Sequence, residues 1–162
     1  MMKLLLNAHN IQKKFYSPIE VSVLNNISLL LHEGESIAIM GASGEGKSTL
    51  LQILGTLEAP TNGSIEILGK KVSERSSNSI RNQHIGFVFQ GYNLLADYTA
   101  LQNVLMPALI AGNDISKNSQ SYSRALELLS HVGLDDRAHF QTKLLSGGEK
   151  QPVAIALSLI HI

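Results

Sequence analysis

Cysteine is absent from the 162 residues, which excludes disulfides and thiolate metal sites and fits a reducing compartment. Net charge is absent too. Thirteen basic residues offset thirteen acidic ones, so no bulk field points to nucleic acid, an anionic membrane or an acidic substrate. Long hydrophobic runs are missing: Val104 to Ala111 contains Pro107 and falls well short of the roughly 18 residues that cross a bilayer. At the start, the lysine and leucines of Met1 to Leu6 are broken by Asn7, His9 and Asn10, too early for a signal peptide. The histidines show no metal-ligand spacing, and His131 and His139 read as surface residues, so no structural metal is expected. Repeats and low-complexity tracts are also lacking.

What is present is ordinary globular composition, 44% apolar and 16% charged, in a length that suits one domain. Alternation over Ala8 to Phe15, Val21 to Leu24 and Ile27 to Leu31 predicts short strands forming an antiparallel edge. Ser36 to Met40 and Ile85 to Phe89 read as buried strands of a sheet core, and Lys47 to Leu57 as a helix packed on it. Pro60 to Gly63 is a turn signal before a strand at Ser64 to Leu68. Ser73 to Asn82 is polar enough to be a mobile surface loop. Thr99 to Ile110 and Ser123 to Val132 carry helical spacing, with Gly133 as a stop. The organisation expected is a nucleotide-binding α/β core with its β edge over residues 1–91, a helical subdomain over 92–144, and a further helix opening in 145–162.

Gly41 to Thr49 (GASGEGKST) matches the phosphate-binding loop pattern in full. Polyphosphate is wrapped by converging backbone N–H groups only where no β-carbon intrudes, hence Gly41, Gly44 and Gly46 around Ser43. The helix starting near Lys47 adds its positive dipole end. Lys47 supplies a full charge to the β and γ phosphates, and the Ser48 hydroxyl, followed by Thr49, is placed to ligate Mg²⁺.

Leu145-Ser146-Gly147-Gly148-Glu149 is a second short motif. Alone it reads as a capped helix start whose Gly147 and Gly148 amides leave an open, anion-attracting N-terminus. With the phosphate loop before it and Gln90 after the run IGFVF, the chain resembles the ATP-binding cassette family, the ATPase subunits of ABC transporters. The resemblance runs from about Leu4 to Leu159, and Ile80 to Gly112 looks most like the lipoprotein-releasing and macrolide-exporting subfamily. It implies ATP and Mg²⁺ as cofactors, with Phe15 in the register of an adenine-stacking aromatic, although the neighbouring Tyr16 could take that role. It further implies that Gln90 reaches the Mg²⁺ or the attacking water; the plainer alternative is a solvated strand end.

The same resemblance implies a head-to-tail dimer with a second ATP-binding subunit, in which Ser146, Gly147 and Gly148 of one copy cover the phosphate held by the loop of the other. Integral membrane permease subunits would be the remaining partners, and nucleic acid none. Tyr92, Leu94, Leu95 and Tyr98 would be subdomain core or a groove for a short helix of that permease. The location implied is peripheral, at the cytoplasmic face of the inner (plasma) membrane. The fold implied is α/β, a P-loop NTPase core with an antiparallel β edge and an inserted α-helical subdomain.

Two departures from the family pattern stand out. No run of four aliphatics followed by Asp-Glu occurs in the 162 residues, and the later switch histidine has no counterpart, so the chain is expected to be truncated at its C-terminus. Pro152 and Leu157 also stand where the family usually has arginine. Pro152 lies several residues into the helix expected to open at Ser146 and should bend or fray it. The activity implied is ATP hydrolysis coupled to export, with lipoprotein release as the cargo reading. Another ABC exporter or importer, and a non-catalytic remnant, remain as alternatives.

Overall fold

The structure, a computed structural model, describes residues 2–16 and 18–160. It divides into two compact units, the first reaching Arg81 and the second beginning at Asn82.

In the first unit β1 (Leu4–Phe15) lies between β2 (Val21–His32) and β3 (Asn62–Ile67), antiparallel to both, and β4 (Lys70–Lys71) closes the sheet in the order β2-β1-β3-β4. The antiparallel edge expected from alternation is therefore present. The two short strands expected at Val21 to Leu24 and Ile27 to Leu31 are one strand, because Asn26 absorbs a register irregularity at φ 51°, a conformation that asparagine tolerates better than most residues. The β3–β4 hairpin turns on Leu68 and Gly69, both at positive φ, as a two-residue turn of the primed type requires. In this unit Ala8, Ile11, Leu24, Ile65 and Ile67 of the sheet are buried, as are Leu50 and Ile53 of α1 (Lys47–Leu54). Full burial of a side chain such as Ile11 or Ile53 contributes about 1.5–3 kcal/mol.

Three expectations are corrected. Ser73 to Asn82 is not a loop: α2 (Glu74–His84) covers it. Ser73 and Ser76 exchange backbone and hydroxyl hydrogen bonds at its start, and Ile80 is buried, so one apolar anchor and a local cap outweigh the polar composition. Ser36 to Met40 and Ile85 to Phe89 join no ladder among the described residues. Ile37, Met40 and Val88 are exposed. A parallel strand draws its hydrogen bonds wholly from neighbouring strands, and neither segment has one here.

The second unit is built on α3 (Ala100–Ile110), α4 (Gln120–His131) and α5 (Gly147–Leu159), which bury Leu101, Val104, Leu105, Ala125, Leu128, Leu129, Val153 and Ala156 in one core. Thr99 caps α3 through a capping box with Gln102, and Ser119 caps α4. Gly133, at φ 74°, follows the end of α4 as the sequence predicts. The fraying expected at Pro152 is not seen, since α5 is helical from Gly147 to Leu159. Val153, Ala154 and Ala156, directly after the proline, are buried and hold the helix through it.

Candidate functional site

The phosphate-loop pattern lies in the first unit, between Met40 and α1. Gly46 is the N-cap of α1 at φ 83°, and a β-carbon there would lie 2.7 Å from Val23 Cγ1 and 3.0 Å from the Val23 carbonyl oxygen. Both the left-handed backbone and the approach of β2 therefore require glycine. Gly41, Ser43, Gly44 and Ser48 are exposed, while Gly46, Lys47 and Thr49 are half-buried. Gly46 makes no side-chain cap, and the first turn of α1 carries no acidic residue, so its N–H groups keep their attraction for an external anion.

Two charged side chains fold onto this loop. The Lys47 ammonium donates to the Ala42 carbonyl oxygen. Glu45 Oε2 accepts from the Ala42 N–H at 2.8 Å. An anionic oxygen thus already sits on a backbone donor of the loop, beside a lysine and a helix N-terminus, which is the donor set that polyphosphate needs. Glu45 in this position had no sequence signal beyond being a charge between two glycines.

Phe15, at the end of β1, is 43% exposed. Lys13 Nζ lies over its ring at 5.1 Å from the centroid and is tied to Glu58 Oε1 at 2.6 Å and the Ala59 carbonyl at 2.8 Å. Tyr16 is more exposed, at 65%, and has no such support among the contacts described.

In the second unit Gln90 is exposed in a tight turn. The Tyr92 N–H donates to the Phe89 carbonyl at 3.0 Å, and Tyr92 and Asn93 both take positive φ, 61° and 51°. For a residue as bulky as Tyr92 this is an uncommon conformation. Leu94 packs against the helical core, whereas Leu95 and Tyr98 are exposed. The loop carrying them is clamped from inside: buried Asn103 accepts from the Leu95 N–H at 2.7 Å and donates to the Leu95 carbonyl at 3.1 Å. The buried Thr142 hydroxyl donates to the same carbonyl at 2.8 Å.

The second motif opens α5. Ser146 is its N-cap, with Glu149 N–H donating to Ser146 Oγ and Glu149 Oε2 accepting from the Ser146 N–H at 2.8 Å and hydroxyl at 2.7 Å. This reciprocal box was legible as Ser-x-x-Glu. Arg137, whose Nε lies 3.3 Å from Glu149 Oε1, was not. The Ser146 N–H foremost, then its hydroxyl, and further the Arg137 charge hold the Glu149 carboxyl below its ordinary 4.5. Gly147 and Gly148 are exposed, and a β-carbon at either would meet nothing within 4 Å among the described residues.

The family described as "ABC transporter" matches residues 24–161, which takes in both motifs. The chain belongs to that family. Over 158 residues, 98% of this chain and 69% of the relative, it is 56% identical to the lipoprotein-releasing system ATP-binding protein LolD of Protochlamydia amoebophila. The LolD of Bacteroides fragilis is 46% identical over 97% of this chain and 71% of its own. The fold is that of a solved ABC cassette: MJ0796, a bacterial ABC transporter cassette seen as a dimer, is similar with a TM-score of 0.87 at 36% identity, over 97% of this chain and 70% of that one. A second structure of MJ0796 with the same similarity is a dimeric post-hydrolysis state bound to ADP and Pi. The mixed α/β class with an antiparallel sheet agrees with the ABC fold expected from sequence. Among the described residues no helix is long and apolar enough to cross a membrane.

Proposed function

We propose that this ABC chain is the ATP-binding subunit of a lipoprotein-releasing transporter, coupling ATP binding and hydrolysis to export. The observation that carries the reading is the 56% identity to a lipoprotein-releasing ATP-binding protein across 98% of the chain, with the phosphate loop, Gln90 and the Ser146-Gly147-Gly148 motif all present in order.

In this reading the amides around Gly41, Ser43, Gly44 and Gly46 hold the phosphates, Lys47 neutralises their charge, and Phe15 stacks on the base. Ser48, adjoining Thr49, would hold Mg²⁺, whose chemistry would be to neutralise charge on the phosphate oxygens. Glu45 must leave the Ala42 N–H when phosphate arrives, because two anions do not share one donor.

The partners proposed are a second ATP-binding subunit and membrane permease subunits, with the chain peripheral at the cytoplasmic face of the membrane. Head-to-tail pairing is supported by Gly147 and Gly148, where nothing among the described residues excludes a side chain; an outside group approaching the α5 amides would explain glycine there. Leu95 and Tyr98, exposed on a loop fixed by Asn103 and Thr142, are the surface proposed for the permease.

The test is ATP affinity by titration calorimetry with Lys47→Ala. Losing a charge-assisted contact to phosphate lowers affinity about tenfold to a hundredfold. Equal affinity in the variant and the original chain would refute the assignment.

A further inference from the structure

We propose that Lys13 is a positioning residue for base recognition: its ammonium fixes the Phe15 ring in the orientation in which it stacks on a purine. This rests on the proposed role of Phe15. Residues two apart on a strand share a face, so Lys13 and Phe15 project together from β1. An exposed aromatic at a strand end would ordinarily sample several rotamers and lose that freedom on binding. Here the ring is held. Lys13 is only 9% exposed, with its ammonium bound to Glu58 Oε1 at 2.6 Å and the Ala59 carbonyl at 2.8 Å. Those acceptors use two of its three protons, and the charge lies 5.1 Å from the Phe15 centroid. The ring still exposes 43% of its surface, enough for a base to cover.

The anchor also lies close to the phosphate loop in sequence. Glu58 and Ala59 lie just beyond α1, the helix that begins with Lys47 of the phosphate loop. Lys13 therefore ties the ring to the segment leaving the phosphate site, and so fixes the spacing between base platform and phosphate cradle. Two subsites held at a set spacing are engaged together at a smaller entropic cost. A cation against the ring also draws π-density from it, which favours stacking on an electron-rich purine.

The experiment compares ATP with inorganic tripolyphosphate by titration calorimetry on the 162-residue chain and its Phe15→Ala, Lys13→Met and Lys13→Arg variants. Phe15→Ala is expected to weaken ATP binding about tenfold and Lys13→Met about threefold, with tripolyphosphate affinity unchanged in both. Lys13→Arg should retain ATP affinity, and adding Lys13→Met to Phe15→Ala should cost nothing more, since the lysine acts through the ring. Should Lys13→Met fail to fold, Glu58→Gln loosens the anchor while keeping the cation, and a smaller loss confined to ATP is expected. Parallel losses for both ligands would reduce Lys13 to a structural role and overturn the proposal. Unchanged ATP affinity in Lys13→Met beside a loss in Phe15→Ala would overturn it while sparing Phe15. No loss in Phe15→Ala, or no binding of either ligand by the original chain, would overturn both.

Discussion

Glu149 shows how one side chain serves two purposes. Its carboxylate closes the cap of α5, accepting from the Ser146 N–H and hydroxyl, and faces Arg137. Those partners favour the charged form and lower its pKa. A group whose folded-state pKa is depressed lends stability that is fully present above its unfolded value and lost as pH falls through the folded one. Protection of the α5 first turn should therefore weaken as pH drops below about 4.5. Glu149→Gln keeps a cap-forming oxygen but cannot titrate, so its protection factors from Gly148 to Lys150 should stay flat over that range. Parallel pH curves for the two proteins would show that the box owes nothing to the charge. The same hydroxyl is the one proposed to meet a partner's phosphate, so the box also sets where Ser146 Oγ points.

At the scale of elements, the helices are held by their caps and their buried faces more than by propensity. α5 illustrates the balance: its capping box and the burial of Val153, Ala154 and Ala156 keep it helical through Pro152. The proline still lacks a donor and presses on the carbonyl four residues back, a cost of about 3 kcal/mol in a helix interior. Pro152→Arg should accordingly slow amide exchange across Glu149 to Leu157 and stabilise the unit by about 1–3 kcal/mol. Exchange no slower than in the original chain would show that the tertiary contacts had already absorbed the defect. The loop at Leu95 to Thr99 is held differently. Asn103 and Thr142, both almost wholly buried, converge on the Leu95 carbonyl, and a buried polar group of this kind is costly to leave unpaired.

For the whole molecule, the residues present divide the proposed reaction. The phosphate loop and Ser48 would supply charge and a ligand for a nucleotide bound to this copy, and Ser146, Gly147 and Gly148 would face one bound to a second copy. Orienting the attacking water and stabilising the developing charge each contribute factors of about 10² or more. Lys47, whose charge would meet the developing phosphate charge in the proposed site, is expected to be needed for turnover as well as for binding. Phosphate release with Mg-ATP should drop to background in Lys47→Ala, and release sustained in that variant as monodisperse protein would contradict the expectation.

The sequence by itself determined what depends on a few neighbouring residues: the glycines of the phosphate loop, the Ser146 to Glu149 box, the stop at Gly133 and the antiparallel alternation of β1. Each is a backbone requirement imposed within one turn or one strand, so spacing alone carries it. Only the tertiary structure decided which distant groups meet. Lys13 and Glu58 are 45 positions apart, and Thr142 reaches the Leu95 carbonyl across 47; no local pattern encodes such contacts. It also decided against ladders at Ser36 to Met40 and Ile85 to Phe89. Apolar composition suits a residue to a buried strand, but a strand's hydrogen bonds belong to its neighbours, and composition cannot say whether a neighbour is there.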